Sequence, residues 1–174
     1  MARIPYPDLA RADIAPLAER IKAERGGRML NLYHLLLQSP PVADGWRALL
    51  TAVRQQCSLP GRYRELAILQ VAVLNRADYE FDAHVPFAIK EGVTREQLDV
   101  LRRGGSPEGL TDADRAVIEY TTVMTREVNV PDALFASVKR HFSDREMVEL
   151  SVTIGAYNLV SRFLVAMQVD HEAH

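Results

Sequence analysis

The sequence predicts an all-α protein of seven to nine helices, and three observations carry that expectation. Apolar residues recur at helical spacing along nearly the whole chain. Helix-starting and helix-stopping residues punctuate it at short intervals. Strict apolar–polar alternation and β-branched clusters, the marks of strands, are rare. The chain has 174 residues and is 48% hydrophobic, enough for one domain with a real core. A single domain over 1–174 is expected, with its core motif at about 60–100 and a second half at about 110–170.

The elements follow in order. Residues 13–25 put Ile14, Leu17 and Ile21 at helical spacing, and Gly26–Gly27 end that segment. Residues 28–39 are short and apolar and stop at Pro40 and Pro41. Residues 42–56 carry Trp46, Leu49, Leu50 and Val53 on one face. Pro60 suits a first helical turn, and Leu66–Leu74 is apolar nearly throughout, as in a helix buried on most sides. Residues 75–78 read as a break, with Asp78 capping a helix from Tyr79 to about Glu91, and Gly92 closing it. Thr94 with Gln97 forms a capping-box pattern for a short helix to Arg103. Residues 103–109 form a flexible loop. Thr111 or Asp112 opens a helix to about Glu127, and Pro131 opens another to about His141. Ser143 with Glu146 is a second capping box, opening a long apolar helix to about Gln168, and the tail from Asp170 frays. Shifting the chain by 84 positions lays 64–85 over 148–169 with four identities, a weak repeat that points to a duplicated helical hairpin.

Composition removes several classes of function. The formal net charge is -2, which offers no electrostatic basis for a nucleic-acid partner. One cysteine, Cys57, makes no internal disulfide, CxxC pair or cysteine-rich zinc site, and it reads as a small helix-end apolar residue. His34 reads as a packing histidine, while His171 and His174 lie in the tail. The N-terminus has no signal-peptide pattern, and the run around 66–74 is too short to span a bilayer. A cytoplasmic protein without a membrane partner is the expectation.

Three stretches could carry chemistry. In Tyr79–His84, Glu80 and His84 are i and i+4 on one helical face. A carboxylate there raises the imidazole pKa and orients the ring, as a proton-transfer pair requires; a solvated surface pair is the alternative. Glu65 opens a helix whose next nine residues include one polar side chain, Gln70. On one straight helix Glu65 and His84 would lie about 28 Å apart. A turn at 75–77 folds the two helices back and lets them approach; otherwise Glu65 is a first-turn glutamate favoured by the helix dipole. Finally, Asn158 and Arg162 are i and i+4 in an apolar helix that also carries Tyr157. Arg162 could fork onto a substrate carboxylate, or pair with a structural one such as Glu149 or Glu65. The apolar faces of the first helices (Leu30, Leu32, Leu35, Leu36, Leu37, Trp46) either form a subunit interface or cover the core.

The stretches 64–98 and 142–164 together resemble the carboxymuconolactone decarboxylase family, the superfamily that includes alkylhydroperoxidase D (AhpD). The resemblance spans about 30–170 and implies an AhpD-like domain of paired helices, assembled as a homotrimer or hexamer. The family's peroxidase branch uses a glutamate, a CxxC pair and a histidine. These fall on Glu65, on Ala77 and Glu80, and on His84, so both sulfurs are missing. A glutamate four residues before the histidine matches the decarboxylase branch instead. The resemblance implies cofactor-independent loss of CO₂, or proton transfer, on a small carboxylated lactone or enone in aromatic-compound catabolism. His84 would deliver the proton, tuned by Glu80 and assisted by Glu65. Tyr79, Arg76, Tyr157, Asn158 and Arg162 would contact substrate, Arg76 or Arg162 binding a second carboxylate. No metal or organic cofactor is called for, because the substrate is its own electron sink. The other readings are an antioxidant homologue without its thiols, and a non-catalytic oligomeric binding protein.

Overall fold

The computed structural model describes residues 1–172, so the tail expectation for His174 falls outside the described residues. These residues form nine α-helices and no strand. Two compact units are present: Met1–Gln56 together with the chain from Leu164 onward, and Cys57–Phe163.

The first unit contains α1 (Ala15–Glu24), α2 (Asn31–Leu36) and α3 (Pro40–Thr51), the last running on into a π-helical turn, Ala52–Gln56. Its core takes Ile14, Leu17, Ile21, Leu36, Trp46 and Val53. Leu32, Leu35, Leu36, Leu37 and Trp46 are buried within the chain and Leu30 is half-buried. Of the two readings left open, their burial fits side chains that cover the core. Leu49 departs from the predicted apolar face and is exposed. Pro40 does more than stop the preceding helix. It starts α3 at N1, where its missing N–H costs nothing. His34 packs as expected, with Nε2 2.8 Å from the Pro7 carbonyl and its ring against Tyr6.

The second unit is built around α4 (Gly61–Asn75). Every residue from Glu65 to Ala72 is buried, because α5 (Asp78–Lys90), α6 (Arg95–Arg102) and α7 (Asp112–Arg126) all pack on it. α8 (Asp132–Lys139) packs on α7, and α9 (Asp144–Met167) follows, passing into the first unit at Leu164. Both predicted capping boxes are present, at Thr94–Gln97 and Ser143–Glu146, and Thr111 forms a third with Asp114. Asp78 is not a cap. Ala77 holds the cap position and Asp78 is the first helical residue, where its charge faces the dipole instead. Gly92 closes α5 at φ +84°, which a side chain would strain. The weak repeat does not give a second hairpin: α4 and α5 break at 76–77, whereas α9 runs unbroken through the matching stretch. By length and composition α9 is also apolar enough to cross a membrane, and 44% of its most apolar window is buried inside the protein.

Candidate active site

The break after α4 sets up the site. Arg76 takes a left-handed conformation (φ 54°, ψ 43°), and the chain reverses into α5. α5 then lies along α4, and Glu65 meets His84 although 19 residues separate them.

Both ring nitrogens of His84 face carboxylates. Nδ1 lies 2.6 Å from Glu65 Oε2, and Nε2 lies 2.9 Å from Glu80 Oε1. All three side chains are buried, His84 at 2% exposure. Burial alone would push the imidazole pKa down. The charge of Glu65, its hydrogen bond, and Glu80 outweigh this and hold His84 above its ordinary value. Both carboxylates thus favour the charged form of the ring, and each is placed to accept a hydrogen bond from it. Glu65 is shared with Arg64, whose Nε lies 3.4 Å from Oε1. The ring of Tyr157 meets the imidazole edge-on at 5.1 Å, and Phe87, which is exposed, lies at 5.7 Å. Phe87 went unnoticed in the sequence, although its i+3 position from His84 on α5 was a signal for it.

The other predicted contacts are distributed elsewhere. Asn158 accepts from Asn75 Nδ2 (3.0 Å) and donates to Thr125 Oγ1 (3.0 Å) and the Ile154 carbonyl (3.0 Å). It ties α4, α7 and α9 together. Arg162 donates to the Asn158 carbonyl and side chain and pairs with neither Glu149 nor Glu65. Glu149 instead takes Arg145, Ser58 and the Leu59 N–H. Tyr79 is half-buried in the first turn of α5. Arg76 is exposed and lines a separate cavity of about 560 Å³. Neither that cavity nor one of about 290 Å³ beside Phe81 is lined by Glu65, Glu80 or His84. The His84 cluster and these two cavities are thus in different places.

The positions corresponding to a CxxC pair, Ala77 and Glu80, are both buried and carry no sulfur. Cys57 is half-buried, and burial followed by the charge of Glu149 pushes its thiol up, away from the reactive thiolate. No group of three or more His, Cys, Asp or Glu side chains among the described residues is arranged to hold a metal ion.

Residues 40–122 match the model of the carboxymuconolactone decarboxylase family. The chain is 26% identical over 115 residues to the uncharacterized protein YdfG of Bacillus subtilis, covering 65% of this chain and 78% of that one. Among solved structures, a protein of unknown function from Agrobacterium tumefaciens superposes with TM-score 0.71 at 25% identity, covering 79% of this chain and 94% of that one. An alkylhydroperoxidase AhpD core, an uncharacterized peroxidase-related protein from Ralstonia eutropha, superposes with TM-score 0.80 at 18% identity, covering 98% and 92%. The second likeness is one of fold alone.

Proposed function

We propose that this chain, which matches the carboxymuconolactone decarboxylase family model over residues 40–122, is a cofactor-independent lyase or proton-transfer enzyme acting on a small carboxylated lactone or enone. The observation that supports this most is the buried imidazole of His84, clamped between the carboxylates of Glu65 and Glu80. A proton held there is kept from water and aimed by two carboxylates.

In the proposed reaction the C–CO₂⁻ bond of the substrate breaks and its electron pair passes into the unsaturated lactone. His84 then delivers its proton to the carbon, and a water-derived proton restores the imidazolium. Glu65 and Glu80 hold the ring through both states. Substrate would reach His84 by displacing Phe87, which is exposed and touches the imidazole. Thiol peroxidase chemistry lacks support, since attack on a peroxide and its resolution need two sulfurs that Ala77 and Glu80 do not provide. One observation favours a non-catalytic binding role instead, namely that Glu65, Glu80 and His84 line neither of these two cavities.

The test is incubation of the purified protein with 4-carboxymuconolactone, followed by ultraviolet absorbance. Turnover abolished by His84→Ala supports the reading, and no turnover above the blank overturns the decarboxylase form of it. We further propose that the chain works in the cytoplasm as a homotrimer or hexamer. The exposed apolar residues Val148, Val152 and Leu159 along α9 support assembly.

A further inference from the structure

The larger cavity of the second unit has no role in the chemistry above. Its walls come from α4, α7 and the loop between α6 and α7, and its volume of about 560 Å³ falls in the range of small-molecule sites, ~300–1,000 Å³. Three guanidiniums, Arg76, Arg115 and Arg126, line it against one carboxylate, Glu119. This excess of positive charge is local, since the whole chain carries a formal net charge of -2.

The arginines are not equivalent. Arg115 is committed to the Leu110 carbonyl and to Asp112, 2.6 Å away. Arg76 and Arg126 make no ion pair among the described residues. Arg76 is also held at φ 54°, at a helix C-cap where glycine or asparagine is the ordinary occupant. That conformation fixes where its side chain leaves the end of α4, at the wall of the cavity. At the base, Gln70 donates to Thr122 Oγ1 (2.9 Å), which fixes the floor. Val73, Leu74 and Ile118 supply apolar wall.

We propose that this cavity binds a small organic anion with a compact apolar body. Arg76 and Arg126 hold the carboxylate or phosphate through planar N–H forks, and the body lies against the apolar wall. The smaller cavity has no such excess of positive charge, because its two arginines, Arg95 and Arg102, share the lining with two carboxylates, Asp82 and Asp99, and Arg102 is already paired with Asp82. The inference stands apart from the reading of the His84 triad, which does not line this cavity.

Isothermal titration of the full chain with phenylacetate, phenyl phosphate, neutral phenylacetamide and inorganic phosphate tests it. Phenylacetate or phenyl phosphate binds, and the tighter of the two identifies the anionic group. The amide and inorganic phosphate bind at least about tenfold more weakly, as expected when a charge-assisted pair or the apolar contact is lost. Arg76→Asn, which suits a left-handed backbone, and Arg126→Gln, at an exposed helix end, each weaken the organic anion by about tenfold or more. If Arg76→Asn loses its circular dichroism signal, Arg126→Gln alone decides. Equal binding of phenylacetate and its amide, equal binding of inorganic and phenyl phosphate, indifference to Arg126→Gln, or no binding of either organic anion at millimolar concentration overturns the proposal.

Discussion

His84 concentrates the site's physics in one residue. Its imidazole is buried, which favours neutrality, and it lies between two carboxylates, which favour charge; the carboxylates prevail. Glu80→Gln keeps the shape and removes one charge, so the His84 ring protons should titrate at lower pH by NMR than in the wild type. The raised folded-state value also links to stability. The stabilisation is full below the unfolded value of about 6.5 and is lost as pH rises through the folded value. Urea midpoints measured upward from that pH should therefore fall in the wild type and fall less in Glu80→Gln. Glu65→Gln preserves a hydrogen bond to Nδ1 but not the charge. On the proposed function it lowers kcat by roughly 10²–10⁴, the usual weight of general acid–base catalysis, read in the lactone assay.

At the scale of elements, α4 and α7 hold the second unit together through a polar joint within an apolar contact. Arg62 Nε and Nη2 each lie 2.9 Å from Asp114, which is fully buried and also closes the Thr111 capping box. Burial would raise the Asp114 carboxyl, but the Arg62 fork and the Thr111 N–H outweigh it and hold it below its ordinary value. Its contribution is thus present at neutral pH and disappears as pH falls through the folded value. Asp114→Ala removes the charge-assisted pair with Arg62, which keeps the Gly92 carbonyl, and should cost about 2–3 kcal/mol in urea unfolding. Thr111→Ala, which removes only the cap, should cost about 1 kcal/mol. Equal losses from the two would mean that the ion pair adds nothing beyond the cap.

For the whole molecule, surface composition is the issue. Val148, Val152 and Leu159 are exposed on one face of α9, with the exposed Gly155 between them. Their spacing repeats every three to four residues, as a helix contact requires. If the protein assembles as proposed, Val152→Asp should lower the mass measured by light scattering. An unchanged mass would show that α9 is not the contact.

Much of this protein is determined by local sequence. The helix starts at Thr94, Thr111 and Ser143, the buried character of α4, and the i, i+4 pairing of Glu80 with His84 all depend on spacing and side-chain type within a few residues. Tertiary structure decided the rest. Glu65 joins His84 only because Arg76 turns the chain and α5 packs back on α4. Arg76 and Asn158, both expected beside the substrate, are drawn elsewhere, one into the arginine-lined cavity and the other into a joint between three helices. Arg115, Glu119, Thr122 and Arg126 form a regular polar stripe along α7, but a solvated face shows the same stripe. Only the packing of α4 and the Gly104–Pro107 loop against it makes it the wall of a cavity. Helical spacing is a property of neighbours in the chain, whereas a site depends on which faces meet, and that is set by how the helices pack.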